Sequence, residues 1–206
     1  MTPHQRLGRA AALALTLTRL ALGPIDLLLA RQGADGRLLA ASVLIAALSD
    51  VYDGKVARRF GVDTANLRRF DSMTDTLFYL CVAVAVWMLH PGIIRSHMIL
   101  LIAFVVMQIG GYLFDVAKFG RDTSYHTWTG RTFGLALFVA ATLIFWTGNA
   151  SPWLAIALVI GLISHLDALI ITIVLPEWHH DVHTIRNALR IRADFKQRLR
   201  PSTTSP

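Results

Sequence analysis

Cysteine and charge are both scarce in this chain, whereas apolar residues are abundant. Cys81 is the single cysteine among 206 residues, so no disulfide can form within the chain. Charged residues account for 16% of the sequence and hydrophobic residues for 54%, while soluble domains have about 25% charged residues. This composition excludes an ordinary soluble domain and indicates a membrane protein.

Long stretches without Asp, Glu, Lys or Arg predict where the chain crosses the membrane. Residues 98–114 contain none, and neither do residues 132–166, which a polar turn at 148–152 divides. Since a spanning helix needs about 20 residues, we predict six transmembrane helices, at 7–30, 38–58, 70–90, 96–118, 129–147 and 152–175. The short connections favour a single all-α bundle over residues 1–175, followed by a basic cytoplasmic tail at 176–206.

Basic residues are concentrated on one side of the predicted helices. Of the 20 Lys and Arg residues, all but Arg19, Arg31, Arg37 and Arg95 fall in the loops, termini and helix ends of this side. Because cytoplasmic loops carry an excess of basic residues, we predict that both termini are cytoplasmic. The net charge of +7 then suits anionic lipids and phosphate-bearing substrates. Nucleic acid is not expected as a partner.

Four aspartates lie near the cytoplasmic ends of the second and third predicted spans. Asp50 and Asp53 are three residues apart and Asp71 and Asp75 are four apart, so each pair shares one helix face. Two helices that face each other can bring all four carboxylates together. Because Mg²⁺ and Mn²⁺ favour carboxylate oxygens, we predict a site for two such ions, which can bridge a pyrophosphate.

The aspartates belong to a longer pattern. The segment SDVYDGKVARRFGVDTANLRRFDSMTD resembles the signature of the CDP-alcohol phosphatidyltransferase family, D-x2-D-G-x2-A-R-x8-G-x3-D-x3-D. The matching positions are Asp50, Asp53, Gly54, Ala57, Arg58, Asp71 and Asp75. The exception is Leu67, which stands where the family usually has its second glycine. A weaker match lies in the first span, where Thr16, Arg19 and Pro24 fit the family's T-x2-R-x4-P.

The resemblance implies a role for each matching residue. Asp75 is the catalytic base that takes the proton from an acceptor alcohol. The residues that hold the divalent ions are Asp50, Asp53, Asp71 and Asp75. The residues that bind the cytidine nucleotide are Asp50, Gly54, Ala57 and Arg58. Small side chains at positions 54 and 57 allow a nucleotide to approach the helix backbone. Taken alone they fit tight helix packing equally well, but the aspartates around them favour the nucleotide.

Further basic residues need partners. Lys118, Arg121 and Arg131 lie around the loop before the fifth span, where the family often places residues for the acceptor headgroup, so we predict that they bind the acceptor.

Arg19 lies within the first span, where a charge needs a partner. The acidic cluster, a substrate phosphate and Asp26 are all candidates for that partner.

The resemblance implies an integral membrane transferase of phospholipid biosynthesis. It moves a phosphatidyl group from a CDP-linked lipid such as CDP-diacylglycerol to an alcohol and releases CMP. The acceptor is glycerol 3-phosphate, inositol phosphate or another polyol. We expect a bacterial or archaeal plasma membrane protein, with its active site facing the cytoplasm and a homodimer as its assembly. Two alternatives stay open: a CDP-alcohol that donates its phosphoalcohol to diacylglycerol, and a non-enzymatic divalent-cation transporter.

Overall fold

A computed structural model describes residues 2–121, 123, 125, 127–149, 152–179 and 182–198. Within these ranges every regular element is an α-helix, which confirms the all-α prediction. The eight described helices are α1 (Pro3–Arg31), α2 (Gly36–Arg59), α3 (Ala65–Leu89), α4 (Pro91–Ser96), α5 (Met98–Phe119), α6 (Trp128–Thr147), α7 (Trp153–Val174) and α8 (Ile185–Arg198).

Each of the six predicted spans coincides with one long helix, and the short helices α4 and α8 come in addition. In the described ranges, five helices are long and apolar enough to cross a membrane, namely α1, α3, α5, α6 and α7. Helix α2 is not one of the five, because its second half carries Asp50, Asp53, Lys55, Arg58 and Arg59. The five apolar helices make the chain an integral membrane protein.

The chain divides into two compact units. Unit 1 comprises Met1–Ser96 and Phe138–Trp153, and unit 2 comprises His97–Leu137 and Leu154–Pro206. The four signature aspartates therefore lie in unit 1, and the predicted acceptor-binding residues lie in unit 2. The predicted boundary near residue 175 stays a prediction.

Helix α1 packs against α2 and α3 in unit 1 through small and polar side chains. Its buried residues are Gly8, Ala12, Thr16, Arg19, Gly23, Asp26 and Ala30. They recur every three or four positions and so share one face of the helix, while large apolar residues such as Leu17 and Leu28 are exposed. In a membrane, small residues let helices approach closely, and exposed apolar side chains face lipid.

A short turn between α2 and α3 positions the helix ends that carry the aspartates. Gly61 adopts a left-handed φ of 62°, which glycine accepts without steric cost. Thr64 then caps α3, because its Oγ1 accepts a hydrogen bond from the Leu67 N–H at 3.3 Å. The Leu67 side chain packs beside a buried cluster made by Ala12, Ala57 and Val62. Apolar packing therefore explains the leucine at the position of the signature glycine.

In unit 2, α8 packs back on the end of α7. Ala188 is fully buried, and Ile185 and Ile191 pack in the same cluster as Ile171 and Leu175. The basic residues of α8 are exposed; they are Arg186, Arg190, Arg192, Lys196 and Arg198. Part of the predicted tail is therefore a helix whose apolar face contributes to the core of this unit.

Candidate metal centre

The four signature aspartates converge where the end of α2 meets the start of α3. Asp50 and Asp53 lie on the last three turns of α2, and Asp71 and Asp75 on the first three turns of α3. Carboxylate oxygens of Asp50, Asp53 and Asp71 lie within 4.8 Å of one another. Asp75 joins them through a shared hydrogen-bond donor, Arg19. The structure thus brings together the four carboxylates that the spacing placed on two helix faces.

Arg19, from α1, lies among these carboxylates. Its Nη1 donates to Asp50 Oδ1 at 2.8 Å and to Asp75 Oδ1. Its Nη2 donates to Asp53 Oδ2 and to Asp71 Oδ1. The Arg19 side chain is only 1% exposed, so this guanidinium is an internal cation. Of the partners considered for Arg19, the acidic cluster is the one found here.

Asp26 lies on the same buried face of α1, seven residues after Arg19, and has a different partner. The Ser42 hydroxyl of α2 donates to Asp26 Oδ2 at 3.0 Å, and Asp26 is fully buried. Its Oδ1 has no partner among the described residues. An ion pair between Arg19 and Asp26 is not formed, so that alternative was wrong.

The aspartates differ in exposure, which gives the cluster an inner and an outer side. The Asp53 side chain is 6% exposed, and its Oδ2 accepts a hydrogen bond from Thr16 Oγ1 at 3.2 Å. Asp50, Asp71 and Asp75 are 49%, 30% and 34% exposed. A ligand therefore meets these three carboxylates first, and Asp53 lies at the base of the site.

The donor set fits a hard divalent cation. All four side chains offer carboxylate oxygens, the ligands that suit Mg²⁺ and Mn²⁺. The oxygens of Asp50, Asp53 and Asp71 are close enough to share an ion. Four carboxylates with one guanidinium among them also leave an excess of negative charge at the site, which favours cation binding.

The predicted nucleotide-binding residues of α2 fall into two environments. Ala57 is buried and packs with Ala12 and Val62, so its small size lets α2 lie close to α1. Gly54 and Arg58 are not part of this cluster and lie close to each other, since a Cβ added at Gly54 would lie 3.2 Å from Arg58 Nη1. For Ala57 the structure therefore shows the helix-packing explanation. The nucleotide role of all three residues stays a prediction.

All three predicted acceptor-binding residues lie over aromatic rings of unit 2, with Lys118 Nζ 5.2 Å from the ring centre of Phe119. The Arg121 guanidinium carbon lies 4.9 Å from the ring centre of Trp178. That of Arg131 lies 5.0 Å from the ring centre of Trp128. These cation–π contacts hold Arg121 and Arg131 near tryptophan rings, and their acceptor role stays a prediction.

Lys118, the third of these residues, belongs to a polar network that sequence reasoning missed. Its Nζ donates to the backbone oxygen of Thr172 at 2.7 Å. The buried Thr172 hydroxyl donates to Asp115 Oδ1 at 2.7 Å, and Asp115 also accepts from Thr123. Tyr125 places its hydroxyl 3.1 Å from Thr172 Oγ1, and burial raises the pKa of this phenol. The available signal was an acid, Asp115, directly after the uncharged run at residues 98–114.

The fold and the carboxylate cluster define a helical integral membrane protein with a polar centre suited to divalent cations. The chain belongs to the CDP-alcohol phosphatidyltransferase family, whose sequence profile matches residues 9–164. That match covers more than half of the 206 residues and includes all four aspartates and Arg19. No curated protein and no solved structure gave a significant match. Family membership identifies the chain as a transferase of this class.

Proposed function

We propose that the protein transfers a phosphatidyl group from a CDP-linked lipid, such as CDP-diacylglycerol, to a small alcohol and releases CMP. The observation that supports this most directly is the convergence of the four signature aspartates at one point in a member of this family. Glycerol 3-phosphate, inositol phosphate or another polyol is the acceptor. The reaction depends on Mg²⁺ or Mn²⁺.

The proposed reaction exchanges one phosphate ester bond for another. The acceptor oxygen forms a bond to the phosphorus that carries the lipid. The bond from this phosphorus to the bridging oxygen of the pyrophosphate breaks, and CMP leaves with that oxygen. Asp75 takes the proton of the acceptor hydroxyl as general base. Its partly exposed position on the outer side of the cluster supports this assignment.

The remaining carboxylates serve the donor lipid. Divalent ions would be held by Asp50, Asp53 and Asp71, together with Asp75. When bound, such ions neutralise charge on the pyrophosphate and on the departing CMP. Gly54 and Arg58 bind the nucleotide beside Asp50, since the Arg58 fork suits phosphate oxygens. Ala57 contributes by allowing α2 to lie close to α1.

We also propose that α2 is the sixth crossing and that both termini are cytoplasmic. The uncharged part of α2, residues 38–49, rises about 18 Å as a helix, less than the roughly 30 Å of a hydrocarbon core. Asp50 would therefore lie slightly within the membrane near its cytoplasmic surface. A lipid with a nucleotide headgroup needs that depth, because its tails stay in the bilayer. We propose in addition that the protein resides in a bacterial or archaeal plasma membrane and that it forms a homodimer.

CMP release from the purified protein tests this function. CDP-diacylglycerol is offered with Mg²⁺ or Mn²⁺ and a panel of alcohols, and we expect CMP release that needs both an acceptor and the metal. If only a CDP-alcohol with diacylglycerol yields CMP, the donor direction is reversed. If neither donor yields CMP, the enzyme assignment is wrong and cation transport becomes the function to test.

The same assay tests the acceptor residues. Glutamine variants of Lys118, Arg121 and Arg131 each remove one positive charge from unit 2. If these side chains hold a phosphate-bearing acceptor, the variants raise the KM for that acceptor and leave the KM for the CDP-lipid unchanged. Unchanged acceptor KM values would remove these residues from the site.

A further inference from the structure

A single guanidinium engages the carboxylates on which the proposed metal site depends. Each Nη atom of Arg19 contacts two aspartates, so that all four signature carboxylates share one cation. Three of these residues also have oxygens near enough to one another for a shared ion. The guanidinium therefore engages all three carboxylates that lie close enough to share a divalent ion.

Arg19 is also not fully paired. The Arg19 side chain is only 1% exposed, and its buried Nε has no hydrogen-bond partner among the described residues. A buried donor without an acceptor is unfavourable. Arg19 therefore retains an N–H donor for another acceptor.

We propose that Arg19 is an internal counter-cation that holds the four aspartates together and competes with divalent metal for their oxygens. This inference rests on the proposed function only in taking the aspartates as metal ligands. A guanidinium and a divalent ion a few ångströms apart repel each other, especially away from bulk water. Metal binding then requires Arg19 to give up part of its carboxylate contacts. The released N–H groups can donate to phosphate oxygens of the donor lipid.

A purely structural clamp predicts the opposite effect on metal affinity. If Arg19 only keeps the carboxylates in position, its removal lets them move apart, and the metal binds more weakly. If Arg19 competes, its removal leaves more negative charge for the metal, and the metal binds more tightly. Metal affinity therefore separates the two roles without any measurement of turnover.

The test is Mn²⁺ binding to the purified full-length protein in detergent, followed by electron paramagnetic resonance and calorimetry without substrate. For Arg19→Gln we expect the Kd for Mn²⁺ to fall by about tenfold or more, because the competing charge is gone. Arg19→Lys keeps the charge and loses the fork, so its Kd should lie between those of the wild type and the glutamine variant. The matched control is Arg37→Gln, because Arg37 lies over Trp146, 5.7 Å from its ring centre; its Kd should change by less than about twofold.

Thermal unfolding gives an independent readout. Without metal, Arg19→Gln should melt at a lower temperature than the wild type, because four carboxylates then lack their cation. Saturating Mn²⁺ should reduce that difference. If the variant folds only with metal, it is purified in Mn²⁺ and its affinity is measured by chelator titration.

Several outcomes overturn the inference. They are an unchanged or weaker Mn²⁺ affinity in Arg19→Gln, equal affinities in the glutamine and lysine variants, and no Mn²⁺ binding by any variant. Tighter Mn²⁺ binding without CMP release from the wild type would leave the inference standing and reject the proposed function. CMP release from the wild type together with weaker Mn²⁺ binding in Arg19→Gln would support the proposed function and overturn the inference.

Discussion

Asp75 is one of two carboxylates that α3 contributes to the cluster, and it is the one that we assign to proton transfer. It is 34% exposed, whereas the Asp53 side chain at the base of the site is 6% exposed. A base has to reach the acceptor hydroxyl, and a buried ligand does not. Asp75 is accessible to an acceptor, as are Asp50 and Asp71, and its role as the base stays a prediction.

Replacement of Asp75 by asparagine tests this role. We expect CMP release to fall by about 10²- to 10⁴-fold, because the amide cannot take the proton. Mn²⁺ binding should persist in part, since an amide oxygen and three carboxylates remain. The matched control is Asp63→Asn, because Asp63 lies in the turn before α3 and pairs with Arg68 Nε at 3.3 Å. Near-normal CMP release in Asp75→Asn would remove Asp75 as the base.

Ser42 is the described hydrogen-bond donor to the fully buried Asp26. Ser42→Ala removes that donor, which should cost about 1–3 kcal/mol of unfolding free energy and lower the melting temperature. The control is Thr18→Val, because the exposed Thr18 hydroxyl donates to Ala14 O of its own helix at 2.9 Å. Equal melting temperatures for the two variants would show that the bond between α1 and α2 does not stabilise the fold.

At the scale of the helix, α1 reverses the usual distribution of polarity. Its buried face is made of small and polar residues, and its large apolar residues are exposed. In water this arrangement would expose apolar surface at a high cost. In a bilayer the exposed side chains meet lipid, and the small residues permit close packing. That close packing brings Arg19 and Thr16 within hydrogen-bonding distance of the aspartates of α2.

Gly8 tests how tightly α1 is held. A Cβ added at Gly8 would lie 2.3 Å from both Cβ and Cγ of Phe60, too close for either residue to keep its position. Gly8→Ala should therefore cost about 1–3 kcal/mol of unfolding free energy, measured by thermal unfolding.

Gly110 on α5 is the control for this substitution. A Cβ added there meets no described atom within 4 Å, and alanine favours the helix by about 1 kcal/mol over glycine. Gly110→Ala should therefore keep or raise the melting temperature. If Gly8→Ala is as stable as Gly110→Ala, α1 does not pack on Phe60 as described.

For the whole molecule, orientation depends on charge rather than on packing. The loops on the side predicted to be cytoplasmic carry most Lys and Arg residues, and this excess determines orientation during insertion. We predict that the aspartate cluster lies on the same side, because Lys55, Arg58 and Arg59 follow Asp50 and Asp53 on α2. Topology and site location therefore depend on a single question, which is whether α2 crosses the membrane.

Cysteine labelling answers that question. In a Cys81→Ala background, single cysteines replace the exposed residues Gln32, Asn66 and Gln197. A membrane-impermeant maleimide should label Gln32→Cys in intact cells, and the other two only after permeabilisation. Labelling of Gln32→Cys and Asn66→Cys from the same side would show that α2 does not cross. Labelling of Gln197→Cys in intact cells would reverse the orientation of the tail.

Much of this organisation could be predicted from local signals in the sequence. Predominantly apolar segments located the six long helices, since a membrane-spanning helix depends on continuous apolar length. Spacing placed Asp50 with Asp53, and Asp71 with Asp75, because helical periodicity is local. The partner of Arg19 could not be chosen in this way, because Asp26 is near in sequence and the cluster is near in space. Asp115 was missed for the same reason, since its partner Thr172 lies on another helix.

The sequence by itself therefore determined the membrane class, the all-helical architecture and the residues that make up the acidic signature. The tertiary structure alone decided that Arg19 lies among the four aspartates, that Asp53 is the most buried of them and that Leu67 packs beside Ala57. The physical reason is the distance along the chain over which each signal acts. Hydropathy and helical periodicity act within one segment, whereas ion pairing and burial depend on which helix faces meet.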